Sequence, residues 1–336
     1  MTKYGYVVHT FRVHPWGKKE PLSLGDFDAG RDALPLLYGA LRGLTQQGIT
    51  VGTRHLRVKT LNAIGRTVQF SVEVGHSGQT SQFFDPDDNS KPVFERSDRH
   101  IETGIRRGLV VAPGKSSAGL LIMEVHGRSG AKTLLAPTLS KIFRHHTDFV
   151  LEIAAVADQS ALEQFIAQAH AHSITLRKSG LPTDIADMVE INHKDASAGK
   201  IEMRITPGNK LKQFQQGLVD RLRGEGDTRQ RLLHVHGLEF DELSVGMTVG
   251  ERQTTLTVTA DRVPSFVYDL SCGATAPSDD LFFDEVMDTV REIGPAVGVI
   301  VTPGWDTGDW SADAAAMILA VPEEGSDDGP TTDEPE

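Results

Sequence analysis

The stretch LLIMEVHGRSGAKTL, residues 120–134, joins an apolar run to a glycine turn and then to the start of a helix. The apolar run predicts a buried strand, and glycines beside a lysine and a threonine at a helix start are typical of loops that bind phosphate. The nucleotide-binding form of this loop has a glycine, four residues and then Gly-Lys-Ser/Thr. Here Ala131 precedes Lys132, and His126 stands where the leading glycine would be. The stretch therefore predicts an anion-binding turn that lacks the complete nucleotide motif.

The physical basis of this prediction is the free backbone amides and the positive dipole end of a helix N-terminus, which together attract anions. Basic side chains in the turn would add to the attraction. The residues predicted to contact an anion or nucleic acid here are Gly127, Arg128, Gly130, Lys132 and Thr133. A turn with a purely structural role is one alternative, and a site of nucleoside triphosphate hydrolysis is another.

The helix that begins at this turn ends in KIFRHH, residues 141–146. Lys141, Arg144 and His145 share one helical face, because residues three and four positions apart are neighbours on a helix surface. Cations near a helix C-terminus also stabilise the helix dipole, which is the structural explanation. Together with the preceding turn, they predict a basic patch of the kind that contacts nucleic acid.

Alternating apolar and polar residues predict strands with one polar face at residues 68–74, 201–205 and 256–260. A hairpin is predicted from residues 55–63 and 67–74, a first strand at residues 4–13, and a helix at residues 32–47. From residue 119 a strand (119–125), helix (131–143), strand (149–155), helix (159–171) and strand (173–177) predict a βαβαβ arrangement. Later elements are predicted helices at 210–223 and 281–293, a strand at 232–240, and a strand pair flanking residues 250–253.

The predicted fold class is α/β (mixed α+β), with a β-rich N-terminal region joined to a βαβαβ-containing region that carries further antiparallel strands. The predicted domains are residues 1–115, a mixed, strand-rich N-terminal region, and residues 116–320, an α/β region. Residues 321–336 contain seven acids and no base, and we expect them to form a disordered acidic tail.

Composition narrows the cellular setting of this 336-residue chain. Its one cysteine, Cys272, excludes an intrachain disulfide, and the sequence shows no signal peptide or membrane-length apolar run. These features predict a cytoplasmic protein without a membrane partner. The net charge of −12 argues against nucleic acid, but removing the seven tail acids leaves only −5, so a local basic patch remains compatible with it.

His234 and His236 are two residues apart in LLHVHG, so on a strand both would point to the same side, as two metal ligands would. Glu239 and Asp241 follow closely, but the spacing identifies no third ligand. Surface histidines on a strand are the alternative. This pair is the basis of a second functional hypothesis, a metal-dependent hydrolase or nuclease.

Two long loops also carry functional residue types, at residues 75–92 and 303–309. The first contains DPDDNS, residues 85–90, which begins like a calcium loop but lacks the glycine and the final glutamate, so an exposed acidic turn is favoured. The second places Trp305 and Trp310 beside Asp306 and Asp309. We expect these tryptophans to anchor the loop on the core, with a stacking surface as the alternative.

Residues 119–187, which include LLIMEVHGRSGAKT and RKSGLPTDIAD, resemble uncharacterised bacterial proteins of mobile-element or phage-defence contexts. The resemblance implies an accessory or binding component of such a system. It brings no catalytic residue and no cofactor. The leading hypothesis is therefore a protein that contacts nucleic acid or a protein partner through residues 127–146; the alternatives are the metal-dependent enzyme and a structural assembly subunit.

Overall fold

The computed structural model describes residues 4–88, 90–127, 129–155, 170–181, 199–206, 233–235, 238–249, 252–259, 265–270 and 275–322. Its helices are α1 (Ala33–Gln46), α2 (Lys132–Thr147), α3 (Asp279–Ile293) and α4 (Ala312–Ala316), with a short 3-10 helix at Pro295–Val297. Its strands are β1 (Tyr4–Pro15), β2 (Ile49–Val51), β3 (Arg54–Ile64), β4 (Thr67–His76), β5 (Ser81–Phe83), β6 (Phe94–Arg96), β7 (Glu102–Val111), β8 (Gly119–His126), β9 (Ser129–Gly130), β10 (Phe149–Ala155), β11 (His170–Ser179), β12 (Lys200–Ile205), β13 (His234–Val235), β14 (Leu238–Glu239), β15 (Glu242–Val249), β16 (Arg252–Thr259) and β17 (Ser265–Asp269).

The protein is thus a mixed α and β structure with a large antiparallel sheet. It packs as two compact units. Unit 1 comprises Met1–Thr10, Val125–Arg128 and Ala154–Glu285, and unit 2 comprises Phe11–Glu124, Ser129–Ile153 and Val286–Glu336. The division near residue 115 stays a prediction. No helix among the described residues is both long and apolar enough to cross a membrane.

Unit 2 contains the ladder β8-β7-β4-β3-β2, in which the β7–β8, β4–β7, β3–β4 and β2–β3 pairs are antiparallel. The predicted β3–β4 hairpin and helix α1 are confirmed. Asp32 caps α1 by accepting a hydrogen bond from the Leu34 amide at 2.9 Å, which satisfies an otherwise unpaired helix donor. The core of unit 2 lies between these strands, α1 and α2, and its fully buried members include Leu37, Leu41, Phe70 and Phe143.

The predicted helix at residues 131–143 is confirmed, but α2 continues to Thr147. Pro137 lies within it and has no amide to donate to the preceding turn. The helix continues because Leu139, Ile142 and Phe143 are buried and hold its C-terminal half against the core. Asp148 ends it in the left-handed conformation, with φ 60°.

Unit 1 contains the ladder β12-β11-β15-β16-β17-β1. The predicted strands at 201–205 and 256–260, and the strand pair flanking residues 250–253, are confirmed. The predicted βαβαβ arrangement is not confirmed, because β11 pairs antiparallel with both β12 and β15. Its second helix, predicted for residues 159–171, is wrong at its end, where His170 and Ala171 belong to β11; residues 156–169 lie outside the described residues.

The predicted strand at residues 232–240 is also wrong. Two short strands, β13 and β14, pair with each other there, so the chain turns back where a continuous strand was expected. The helix predicted at 210–223 and residues 323–336 of the predicted tail lie outside the described residues. The helix predicted at 281–293 is confirmed as α3, whose first turn includes the acids Asp279 and Asp280.

Candidate functional site

The predicted anion-binding turn lies between β8 and α2. Gly127 adopts φ +59°, a conformation that favours glycine, and Gly130 lies in β9. Ala131 is the N-cap of α2 and has no side-chain capping bond; its carbonyl accepts hydrogen bonds from the Leu134 and Leu135 amides at 3.1 and 2.9 Å. Arg128 lies outside the described residues. The described residues thus show a left-handed glycine and a helix N-terminus without a side-chain cap, and anion binding there stays a prediction.

A second cation, Arg54 of β3, lies against the first turn of α2 and was not suggested by the sequence. Thr133 is exposed, and its hydroxyl oxygen accepts a hydrogen bond from Arg54 Nη2 at 2.5 Å. A guanidinium at the positive end of a helix dipole is electrostatically unfavourable by itself. Arg54 therefore increases the positive charge around Lys132 and Thr133.

The predicted basic face of α2 is present in its C-terminal half. Lys141 and His145 are exposed and Arg144 is half-buried, while Ile142 and Phe143 between them are buried. Lys132 lies about 14 Å away from Lys141 along the helix axis, from a rise of about 1.5 Å per residue. The predicted basic residues of α2 consequently form two groups, one at each end of the helix.

Arg144 lies over an exposed tryptophan, a contact between residues far apart in the sequence. The guanidinium carbon of Arg144 is 3.8 Å from the centre of the Trp16 ring, and Trp16 remains 58% exposed. Trp16 lies in a tight turn after β1, closed by a hydrogen bond of 3.1 Å from the Lys18 amide to the Pro15 carbonyl. Lys18 and Lys19 are both exposed.

Trp16, Lys18 and Lys19 were missed by sequence reasoning, whereas Arg144 was predicted. The one signal in the sequence was the short run WGKK, residues 16–19, in which an aromatic side chain precedes two lysines at a turn glycine. The run gives no indication that Trp16 contacts Arg144. Only the structure places it beside the last turn of α2.

Two histidines of unit 2, His14 and His146, have structural partners. His146 Nε2 lies 3.0 Å from the Ala320 carbonyl, so this histidine helps to hold the segment after α4. His14 Nε2 lies 4.0 Å from a carboxylate oxygen of Glu152. The contact with Ala320 involves His146 and not the neighbouring Arg144 or His145.

Of the two histidines predicted to bind a metal, the structure describes only His234. His234 is exposed in β13, where it is paired in register with Glu239, while His236 lies outside the described residues. Asp241 accepts a hydrogen bond from the Ser179 amide at 2.7 Å. Among the residues that the structure describes, no group of three potential metal ligands occurs. Metal binding by His234 and His236 stays a prediction.

The Trp305–Trp310 loop is anchored on the core of unit 2, as expected. Trp305 is buried, and Trp310 donates a hydrogen bond of 2.8 Å from its ring nitrogen to the Gly65 carbonyl and packs against Tyr38. Asp306 forms an ion pair of 3.0 Å with Arg291. These contacts account for the loop without a ligand.

The acidic turn at residues 85–90 is exposed where it is described. Asp85 accepts a hydrogen bond from the Asp87 amide at 2.9 Å, and Asp88 accepts one from the Ser90 amide at 3.1 Å. Hydrogen bonds from the Ser90 side chain and amide lower the pKa of Asp88. The carboxylates are thus used within the turn itself.

The sequence matches no protein-family model and no curated protein.

Proposed function

We propose that this protein is a binding component that contacts single-stranded nucleic acid through an exposed basic and aromatic face. We call this face the Trp16 surface, and its residues are Trp16, Lys18, Lys19, Lys141, Arg144 and His145. The observation that carries the proposal is the Arg144 guanidinium 3.8 Å above the largely exposed Trp16 ring. Proteins that bind single strands combine such flat side chains, on which bases stack, with cations that contact the phosphates.

A structural role alone explains only part of this arrangement. A surface cation–π pair contributes about 0.5–1 kcal/mol, and a cation in the last turn of a helix contributes about 0.3–1 kcal/mol. Both effects favour Arg144 in the folded protein. Neither requires two exposed lysines beside the tryptophan, nor Lys141 on the same helical face. A flat stacking pair, with exposed lysines next to the tryptophan in the sequence and a further lysine on the helical face of Arg144, suits a single-stranded ligand.

The predicted anion-binding turn fits the same proposal. Lys132 and Arg54, at the opposite end of α2, would contact further phosphates of a strand that follows the helix. A span of about 14 Å corresponds to a few nucleotides, within the site sizes of single-strand binding proteins. The mobile-element or phage-defence context remains part of the proposal, as the setting in which such a component would act.

The test is fluorescence anisotropy of labelled single-stranded DNA and RNA, measured at several salt concentrations. Trp16→Ala should weaken binding about 5- to 150-fold, from the stacking energy of about 1–3 kcal/mol per base. Replacing Lys132, Arg144 and His145 together by alanine should weaken binding and flatten its salt dependence, by about 0.7 in the logarithmic slope for each phosphate that these side chains no longer neutralise.

The matched control is Arg31→Ala. Arg31 belongs to the same unit and pairs with Asp28 at 3.5 Å, so its removal changes the net charge by the same amount as Arg144→Ala but leaves the Trp16 surface intact. We expect this variant to bind like the unmodified protein. Absence of binding by the unmodified protein, or equal losses of affinity for Arg31→Ala and Arg144→Ala, would overturn the proposal.

A further inference from the structure

A second site in unit 2 has the geometry of an activated serine. His55 Nε2 lies 2.9 Å from Ser77 Oγ, and its other ring nitrogen, Nδ1, lies 2.8 Å from Thr50 Oγ1. The three side chains thus form one chain of hydrogen bonds through the imidazole. Nucleophile, base and orienting group in this order are the arrangement by which enzymes activate a hydroxyl group.

The fold determines this arrangement through strand register. Thr50 of β2 and His55 of β3 are directly opposite each other, and directly opposite residues share a face of the sheet. Ser77 follows the end of β4 and is held by a hydrogen bond of 2.9 Å from its amide to the Thr53 carbonyl. His55 and Ser77 are half-buried and Thr50 is exposed, so the group is open to a substrate.

An open cavity of about 480 Å³, within the size range of small-molecule sites, is formed by β5, β6 and the segment that leads into β7. The residues that line it are Phe83, Phe94, Arg96, Arg99, His100, Ile101 and Glu102. The rings of Phe94 and His100 are stacked, with centres 5.5 Å apart, and the ring centre of Phe83 lies 5.8 Å from that of Phe94. The lining therefore suits an aromatic or branched apolar group.

Two contacts place the cavity wall next to Ser77. The His76 carbonyl accepts a hydrogen bond from Arg96 Nη2 at 2.5 Å, and the Gly78 amide donates one to the Asp98 carbonyl at 2.7 Å. Both sequence neighbours of Ser77, His76 and Gly78, are thus hydrogen-bonded to the segment 96–98 beside the cavity. His55 of β3 is paired directly with Gly75 of β4.

Gly75 makes room for the cavity wall on the face that carries His55. A Cβ atom at this position would lie 2.6 Å from Ile101 Cγ2, so the Ile101 side chain occupies the space over the glycine. Because Gly75 and His55 are directly paired, that space is adjacent to the imidazole.

We propose that Ser77 is a nucleophile activated by His55, acting on carboxylic esters whose aromatic or branched apolar group occupies the adjacent cavity. In the tautomer with the proton on Nδ1, Thr50 accepts that proton's hydrogen bond and Nε2 is free to act as the base. Nε2 takes the Ser77 hydroxyl proton as Oγ attacks the ester carbon. The proton then passes to the departing alcohol as its bond to carbon breaks. Water, deprotonated by the same nitrogen, then attacks the acyl carbon; as the bond to Ser77 Oγ breaks, the proton passes from Nε2 to Oγ, and the acid is released with the serine restored.

Thr50 is a positioning residue in this scheme and supplies no negative charge to stabilise the imidazolium. The acceleration should accordingly be modest, of the order that general-base assistance provides, about 10²- to 10⁴-fold.

The direct test is a fluorophosphonate probe, which forms a stable bond to activated serines, followed by peptide mapping of the unmodified full-length protein. We expect phosphonylation at Ser77, and we expect His55→Gln to abolish it. In parallel, hydrolysis of p-nitrophenyl phenylacetate should fall by at least about 100-fold in Ser77→Ala and in His55→Gln. The control is Ser81→Ala, which removes an exposed hydroxyl in β5 and should leave both readouts unchanged.

Thr50→Val keeps the shape of the side chain but removes the acceptor at Nδ1. It should reduce both the labelling rate and the turnover number, with KM little changed, because Thr50 orients the base and does not bind the ester. Labelling at other serines only, or hydrolysis that persists unchanged in Ser77→Ala, would overturn the proposal. Because none of these residues belongs to the Trp16 surface, the outcome is independent of nucleic-acid binding.

Discussion

Replacement of Gly65 by alanine should detach the Trp305–Trp310 loop from the turn between β3 and β4. Gly65 has φ +55°, and an added Cβ would lie 2.5 Å from the Trp305 carbonyl oxygen and 2.6–2.7 Å from backbone atoms of Thr307. All of these are backbone atoms, so the loop must move as a whole. Gly52, in the turn between β2 and β3, has φ +59° but nothing within 4 Å of the added atom.

Gly52→Ala therefore introduces backbone strain alone, whereas Gly65→Ala introduces the same strain and a steric clash with the Trp305–Trp310 loop. In both variants a left-handed alanine costs about 1 kcal/mol. In Gly65→Ala the displacement of the loop also breaks three hydrogen bonds, from the Gly65 amide to Gly308, from the Arg66 amide to Trp305, and from the Trp310 ring to Gly65. At about 1 kcal/mol each, the total cost is about 4 kcal/mol, against about 1 kcal/mol for Gly52→Ala.

The assay is urea unfolding followed by tryptophan fluorescence in a Trp16→Phe background. The chain has three tryptophans, so the remaining signal comes from Trp305 and Trp310 alone. We expect Gly65→Ala to shift the emission to longer wavelength before unfolding and to lower the free energy of unfolding by about 3 kcal/mol more than Gly52→Ala does. Equal destabilisation of the two variants would refute the idea that the loop is held by this contact.

Two further predictions concern carboxylates in different surroundings. Glu124 is fully buried and accepts hydrogen bonds from the Arg107 amide at 2.9 Å and its guanidinium at 3.0 Å, so Glu124→Ala should destabilise the protein by about 3–5 kcal/mol in urea unfolding. Glu73→Ala, which removes a partly exposed carboxylate, should cost less than about 1 kcal/mol, and a similar destabilisation by both would contradict this reasoning. Ser90→Ala should raise the pKa of Asp88 toward its ordinary value by removing the side-chain hydrogen bond that lowers it, as measured by NMR titration; an unchanged pKa would show that this bond is absent in solution.

The β3–β4 hairpin, α1 and α2 of unit 2 were predictable because their signals are local, whereas β7, which pairs with β4 and β8, was not predicted. The β3–β4 hairpin follows from alternating residues on both sides of a glycine turn, and α1 follows from a capping aspartate before a leucine stripe. Strands β12 and β16 of unit 1 were found by the same alternation, whereas β17 was not predicted. The pairing of the unit 1 strands was not found, because alternation of helices and strands suggested parallel crossovers, whereas β11 pairs antiparallel with its neighbours.

The candidate sites were predictable only in part, since their contacts join distant parts of the sequence. The basic face of α2 is readable from helical spacing, but Trp16 reaches Arg144 only through packing of the turn after β1 against α2. The same holds for Arg54 and Thr133. Thr50, His55 and Ser77 belong to no spacing motif, because their alignment depends on the register of β2, β3 and β4.

The two proposed activities can be separated by single substitutions, because the side chains that carry them do not overlap. Arg144→Ala should weaken nucleic-acid binding and leave ester hydrolysis intact, while His55→Gln should do the reverse. Both variants change partly exposed side chains, so neither should lower the free energy of unfolding by much more than about 1 kcal/mol. If either variant abolished both activities together, the shared cause would be damage to unit 2, and the effect could not be assigned to binding of nucleic acid or to proton transfer by His55.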